Sequence, residues 1–422
     1  AEQISFDQLK DLVKEFQAVI ILTSVMTYDE DADILLQLKS AHPTLITIVY
    51  GSQPTFQPEA TLEKKGVDII IRFEAEHVLR DLLAALDKND SSWKDIRGIG
   101  FKETDSIIVR QPYPFIENLD ELPFVRWEFL PKEAKYFNPL IKRYPYVTML
   151  TSRGCAYRCV YCMAPAFYGK RFRFRSIANV LQELAILKEK GVREIYFRDE
   201  LFTVSKERTR QFCEGLLAQK LDLTWICSSR VDTVDKALLT LMKQAGCHTI
   251  KFGVESGMQE ILDNAKKDIT IEQTKRVFTW TNELRINTHA HVMVGLPLET
   301  EESLAVTSKF LRELNPTTVD IGIMTPFPGT PIYEEVKRKY PSIETDHALN
   351  LKTLHNRSFY ADAICRVSNE TIERWIKKMH RMFYLRPGYI LGSLSRIRSF
   401  RDIRTLFLAG LNVIGFSVFG ED

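Results

Sequence analysis

The hydrophobic pattern divides the chain into two series of alternating elements. In the first, apolar runs at residues 18–24, 45–51 and 68–73 are separated by amphipathic stretches at 31–40, 59–65 and 76–86. Short, near-continuous apolar runs read as parallel strands covered on both faces, so this series predicts part of a doubly wound α/β sheet. Three strands are fewer than such a domain normally carries, which places its first strands upstream of Ala1. Residues 90–140 hold prolines at 112, 114, 123, 131 and 139 and keep neither period; they read as a connector with a small hairpin.

The second series predicts strands near 147–152, 194–199, 224–231, 249–255, 287–295 and 317–324, with helices at 177–190, 206–221, 236–244, 271–285 and 302–314 between them. Six such units suggest a partial (β/α)6 barrel, whose functional groups belong at the C-terminal ends of the strands. Beyond Pro341 regularity fades to a helix at 370–385 and a basic segment with Arg396, Arg398, Arg401 and Arg404. The following 405–420 carries no charge. It is shorter than the roughly 20 residues that span a bilayer and is interrupted by Gly410, Asn412, Gly415 and Ser417. It reads as a buried tail helix, with peripheral membrane contact as the sharper alternative. The expected division is therefore 1–90 (incomplete Rossmann-like domain), 91–140 (connector), 141–335 (barrel) and 336–422 (mostly helical extension).

Composition narrows this little. A net charge of +2 and 27% charged residues give no overall pull toward nucleic acid, and no basic, aromatic-interleaved RNA-binding module is visible. The first ten residues lack the apolar core of a secretory signal, and the cysteine spacing is too uneven for a disulfide framework; a reducing cytoplasm is expected.

Three of the seven cysteines carry the chemistry. Directly after the first barrel strand comes Ser152-Arg153-Gly154-Cys155-Ala156-Tyr157-Arg158-Cys159-Val160-Tyr161-Cys162. Thiolates in C-x3-C-x2-C spacing can bind three corners of a four-iron cubane and leave the fourth iron open. Arg153, Arg158 and turn amides can stabilise the anionic cluster, and Tyr161 is placed to lie against a ligand on the open iron. A structural zinc would want a fourth ligand, yet no His occurs between His77 and His248. A redox dithiol at Cys159 and Cys162 would leave Cys155 unexplained. Cys213, Cys227, Cys247 and Cys365 read as buried small hydrophobes.

This loop, after the first strand of a (β/α)6 barrel, resembles the radical S-adenosylmethionine (SAM) superfamily, over about 144–333. The resemblance implies a 4Fe-4S cluster on Cys155, Cys159 and Cys162. It implies SAM chelated to the open iron, an external electron donor such as flavodoxin or ferredoxin, and a 5'-deoxyadenosyl radical that abstracts hydrogen. Cofactor contacts follow at the strand ends. Asp199 and Glu200, in Phe197-Arg198-Asp199-Glu200-Leu201-Phe202-Thr203, resemble the acidic element that meets the cofactor's ammonium; their rival reading is solvated loop acids. Arg230 could grip the methionyl carboxylate, against a salt bridge to Asp232 or Asp199. Glu255 and Ser256 lie in Gly253-Val254-Glu255-Ser256-Gly257, where Glu255 would accept from ribose hydroxyls or amine, against a helix-capping role. Gly295, in Val292-Met293-Val294-Gly295-Leu296-Pro297, would let backbone approach the adenine. The turn Thr325-Pro326-Phe327-Pro328-Gly329-Thr330-Pro331 reads as rigid, with a substrate-facing lid as the option. His289 and His291 alternate to one strand face and read as polar-lumen residues. No side chain is assigned as a catalytic acid or base.

A Rossmann-like half joined to a radical barrel through Asn118-Leu119-Asp120-Glu121-Leu122-Pro123 resembles the cobalamin-binding subgroup. A corrinoid would sit over loops such as 24–28 and 51–55. Where that subgroup commonly has glycine elements, this chain has Tyr50-Gly51-Ser52-Gln53-Pro54-Thr55 and Phe73-Glu74-Ala75-Glu76, so Tyr50, Phe73 and Ala75 replace three glycines. The implied function is cobalamin-dependent methyl transfer to an unactivated carbon of a hydrophobic small molecule: a lipid, isoprenoid or tetrapyrrole. The alternatives are radical oxidation or cyclisation without methyl transfer, and a non-catalytic iron–sulfur electron carrier.

Overall fold

The computed structural model describes residues 4–88, 90–104, 106–129, 138–344, 360–394 and 415. The basic segment and, Gly415 apart, the uncharged tail lie outside the described residues. Among the described residues no helix is long and apolar enough to cross a membrane.

Two sheets organise the chain. The first has the order β1-β2-β3-β4-β5: β1 (Ala18–Thr23), β2 (Ile46–Gly51) and β3 (Ile69–Ile71) run parallel, and β4 (Ile99–Glu103) and β5 (Ser106–Val109) follow antiparallel. Alternate residues of β2 and β3 enter opposite cores. Ile48, Ile69 and Ile71 meet Val78, Leu82 and Phe101, whereas Val49 and Ile70 meet Leu35, Leu62 and Val67. Both faces are covered, which is why these strands read as unbroken apolar runs. The hairpin expected in the connector exists, and it pairs with β3. The first sheet therefore extends to Val109, past the boundary drawn at 90.

The second sheet joins β6 (Tyr146–Met149), β9 (Glu194–Phe197), β10 (Thr224–Ser229), β11 (Cys247–Glu255), β12 (Asn287–Val294) and β13 (Thr318–Ile323), all parallel, in the order β13-β12-β11-β10-β9-β6. β13 and β6 do not pair with each other, so the barrel is open, as a partial (β/α)6 barrel should be. A short antiparallel pair, β7 (Ser152–Arg153) with β8 (Arg173–Phe174), closes the base of the cysteine loop.

Burial along β12 shows which way the barrel faces. Thr288, Ala290, Val292 and Val294 are buried under the helices, whereas Asn287, His289, His291 and Met293 are half-buried and line the lumen. The free edge of β13 is covered by the helix Asn369–Tyr384, whose Tyr384 hydroxyl bonds Val319 twice, accepting from N–H at 2.9 Å and donating to C=O at 2.8 Å. That contact blunts an edge that would otherwise expose unpaired backbone.

Candidate active site

The cysteine loop is held by its backbone before its side chains are considered. Gly154 has φ +90°, and a Cβ there would lie 2.0 Å from the Arg171 carbonyl oxygen, so only glycine can open this turn. Val160 is clamped from both sides: its N–H donates to Ala265 O at 3.1 Å, and its carbonyl accepts from Ile332 N at 3.1 Å. Cys155, Cys159 and Cys162 are all partly exposed, unlike the buried Cys213, Cys227 and Cys247; Cys365, expected buried, is also partly exposed, with its thiol near Val367 O at 3.4 Å.

The three loop thiols are spread more widely than one tetrahedral ion would hold them. Among the described residues they do not gather as a set within 4.8 Å. Zn–S bonds of about 2.3 Å in a tetrahedron would demand thiolates about 3.8 Å apart. Burial pushes the Cys162 thiol up to about 12 and raises Cys155 as well. Thiolates there are disfavoured until iron supplies the compensating charge.

The expected strand-end residues surround this loop, though not all are available to a ligand. Tyr161 reaches into an apolar pocket with Ile261, Leu296, Met324 and Ile332, and its buried hydroxyl has no partner. Asp199 and Glu200 divide. Asp199 is buried, accepting from Thr151 N at 2.6 Å and Thr151 Oγ1 at 2.5 Å, so its carboxylate ties the end of β9 to the run into the cysteines. Glu200 stays reachable by solvent while protein surrounds it. Burial raises its pKa, and its charge is felt at Cys155 and Cys162. Glu200 is the member of the pair that faces the loop.

Arg230 takes the rival role named for it. Its Nε and Nη2 make a bidentate pair with Asp232, both at 2.9 Å, and Nη2 also donates to Lys267 O at 2.6 Å. The guanidinium stacks 3.7 Å above the Tyr157 ring, inside the cysteine loop. Its fork is thus occupied, and Nη1 is the buried donor left without a partner. Glu255 sits in left-handed backbone, φ +61°, with its carboxylate on Lys267 Nζ at 2.6 Å. Gly253 makes room for that pair, since a Cβ there would lie 2.6 Å from Lys267 Nζ. Such strain in a non-glycine residue marks a site held in place by its surroundings. Ser256 is buried and local: its hydroxyl accepts from Met258 N at 3.2 Å and meets Thr307 Oγ1 at 3.3 Å.

Gly295 is required by conformation rather than by crowding. Its φ is +86°, and a Cβ would meet nothing closer than 3.6 Å. Its N–H donates to the Glu299 carboxylate, as does Leu296 N at 3.2 Å. Burial lifts Glu299 to about 8, and its Oε1 has no partner. The signal for this residue was an acid closing the otherwise apolar run Gly295-Leu296-Pro297-Leu298 after the strand end.

Below the rim the lumen is polar. His289 and His291 stack edge-to-face, with ring centres 4.6 Å apart. Nδ1 of His289 meets Thr318 Oγ1 at 2.7 Å, and Nδ1 of His291 meets Asp320 Oδ2 at 3.1 Å. Burial first, then the charges of His291 and Lys251, hold His289 down at about 3, neutral in any ordinary buffer. Deeper still, buried Glu194 accepts from Lys142 N, Arg143 N and Thr224 Oγ1 and meets His248 Nε2 at 2.9 Å, closing the base.

The first sheet reaches this mouth through its own strand ends. Glu74, with its side chain 3% exposed, accepts from Arg173 Nη1 and Nη2 at 2.8 and 3.0 Å, Arg153 Nη1 at 3.0 Å and Ile116 N at 2.9 Å. Arg153, two residues before Cys155, also pairs with Glu76. The turn after β13 docks rigidly, because Gly329 leaves the space that the Phe56 ring fills. The rings of Phe56 and Phe73 each lie 6.3 Å from Phe167, between the sheets.

A thiol loop fit for a cubane at the open mouth of a (β/α)6 half-barrel defines a radical SAM enzyme. Residues 149–311 match the Radical SAM superfamily, and the chain belongs to it. The "uncharacterized methyltransferase PH0819" of Pyrococcus horikoshii is 31% identical over 96% of this chain and 88% of its own length. The anaerobic magnesium-protoporphyrin IX monomethyl ester cyclase of Rubrivivax gelatinosus is 30% identical over 80% of this chain, which spans only 61% of that protein. The structure described as the cobalamin-dependent S-adenosylmethionine radical enzyme OxsB superposes over 98% of this chain and 65% of its own, with TM-score 0.73 and 20% identity. The fold is shared with that enzyme.

Proposed function

We propose that this chain is a cobalamin-dependent radical SAM methyltransferase that acts on an unactivated carbon of a hydrophobic small molecule such as a lipid, isoprenoid or tetrapyrrole. One observation carries the reading: the cysteine loop and the C-terminal edge of the first sheet meet at one place, joined by Glu74, Glu76, Arg153 and Arg173. Radical source and second cofactor would thereby open onto one chamber. The apolar rim beside Tyr161, with Leu296, Met293 and Met324, suits a hydrophobic substrate.

The cluster on Cys155, Cys159 and Cys162, reduced by an external donor such as flavodoxin or ferredoxin, would supply the single electron that splits a sulfonium bond. This chain's residues do the positioning. Glu200, whose charge is felt at Cys155 and Cys162, offers a carboxylate to the cofactor's ammonium. The Glu255–Lys267 pair and the unpartnered Arg230 Nη1 and Tyr161 hydroxyl offer polar contacts around it, while Glu299 fixes the Gly295 turn that would back the adenine. Ser256 and Asp199 hold these elements rather than the ligand.

Cobalamin fits the first sheet's edge in backbone form. Phe73 keeps the left-handed conformation, φ +63°, that a glycine turn would adopt, so the added ring changes the surface of the turn and not its path. The loops at 24–28 and 51–55 and the Phe73–Glu76 turn would hold the corrinoid. The domain reading follows, with the first unit extended to Val109.

The test is anaerobic turnover with methyl-deuterated SAM, read by mass spectrometry, alongside the corrinoid absorption of reconstituted full-length protein. A labelled product and a bound corrinoid are expected; turnover without corrinoid overturns the cobalamin assignment. Unlabelled but oxidised product would establish the second reading, radical cyclisation, which the likeness to the magnesium-protoporphyrin cyclase favours.

A further inference from the structure

The lumen contains a donor set that the reaction outlined above does not use. His289 and His291 on β12 and Asp320 on β13 each present a ligand atom, and the three lie within 4.8 Å of one another. Strand register, not chance proximity, brings them together. His289 and His291 are two apart and so share the lumen face, and His291 is the direct cross-strand partner of Asp320. The same register sets Thr318 opposite His289, where its hydroxyl meets Nδ1 at 2.7 Å. A hydrogen bond from one ring nitrogen is how a metal-bound imidazole is commonly oriented, leaving Nε2 for the ion.

We propose that His289, His291 and Asp320 form a binding site for a divalent first-row transition ion such as zinc or ferrous iron, in the barrel lumen beneath the cofactor rim. Two imidazoles and one carboxylate are a borderline donor set. They suit zinc or ferrous iron over magnesium or calcium, which take oxygen ligands. Three protein ligands leave a position open, as in catalytic rather than structural zinc sites. The lumen admits such an ion: both imidazoles are half-buried and Asp320 is exposed. Lys251, the register partner of His289 on β11, sends its ammonium across to the Tyr196 hydroxyl at 2.8 Å, so that neighbouring charge is engaged toward β9.

The location gives the open position a use. His291 lies four residues before Gly295, or about 13 Å of strand below the rim. An ion there would take an oxygen or nitrogen donor at one end of a substrate while its reacting carbon lies near the cysteine loop. That use rests on the proposed function; binding of the ion does not.

The test uses full-length, cluster-reconstituted protein, equilibrated with Zn2+, desalted and analysed for zinc and iron together. About one zinc per chain beyond the iron is expected. The double variant His289→Ala with His291→Ala should lose it while keeping its iron, and Asp320→Asn should bind at least tenfold more weakly. Thr318→Val should weaken binding by about tenfold, the usual effect of removing a group that orients a ligand. Zinc retained equally by the double variant, or no zinc held by the parent protein, overturns the site. Should the double variant fail to fold, unchanged zinc affinity in both Asp320→Asn and Thr318→Val overturns it equally. Because the readout is metal content, its failure leaves the radical reading standing, and failure of turnover leaves the ion site standing.

Discussion

The ends of the first sheet's strands and the ends of the second sheet's strands are built on opposite terms. At the first, the acceptors are satisfied: Glu74 receives four hydrogen bonds, and Thr55 donates to Gly51 O at 2.6 Å while accepting from Phe73 N at 2.8 Å, with Arg173 Nε the one atom of this cluster buried without a partner among the described residues. At the second, the Tyr161 hydroxyl, Arg230 Nη1 and Glu299 Oε1 are buried without partners, and Glu255 is strained. Buried polar atoms cost stability when unpaired, so a folded chain keeps them where something else completes them. The contrast separates a wall from a binding site within one interface.

The largest effect should come from the binding side. Cys155→Ala, Cys159→Ala or Cys162→Ala should each abolish cluster retention and turnover, read as loss of iron and of the cluster's visible absorption. Wild-type iron content in any of the three would dissolve the distinction. On the wall side, Glu74→Ala would strand Arg173, whose side chain is 3% exposed. Removing one partner of a buried ion pair typically costs about 3–5 kcal/mol. Denaturant unfolding should show a loss of that order, with substrate-independent cluster loading largely kept.

Glu299 sharpens the comparison through pH. Its carboxyl is raised from 4.5 to about 8 by burial. Between those values the folded state holds a proton that the unfolded state releases, so stability should fall as pH rises, by at most about 1.4 kcal/mol per pH unit. The favourable difference is whole below pH 4.5 and gone above 8. Glu299→Gln should flatten that slope in unfolding curves measured at pH 5, 6, 7 and 8, whereas an equal slope in both proteins would mean that the carboxyl is not the titrating group.

Much of this was legible in the sequence, for physical reasons. The central strands of the first sheet announce themselves because burial on two faces leaves no polar position to break the run, as in Ile69-Ile70-Ile71, whereas β12 reads by alternation of buried and largely polar lumen positions. The cysteine loop is legible because cluster ligation fixes residue type and local spacing at once. What stayed hidden depends on contacts remote in sequence. Asp199 and Glu200 look alike as neighbours just past the end of β9, yet Thr151, 48 residues away, claims the first. Arg230 could not be assigned before its distance to Asp232 was known. The antiparallel hairpin at 99–109 belongs to the first sheet through its pairing with β3 and through Ile99 and Phe101 in the core, which no local pattern states.

The smallest expected effect lies beside the largest structural one. Arg171 pairs with Glu117 two residues from Arg173, on the same β-hairpin approach, but their side chains are 57% and 62% exposed. Water already solvates both charges, and two long side chains must be immobilised to make the contact, so such pairs contribute about 0–1 kcal/mol. Arg171→Ala should therefore leave the unfolding midpoint nearly unchanged and become still less noticeable at 0.5 M salt, where screening is strong. Arg173→Ala would leave the Glu74 carboxylate buried with Arg153 alone, and should cost several-fold more. If the two variants prove equally mild, the Glu74 cluster is not desolvated in solution, and the wall that separates it from the open site loses its physical basis.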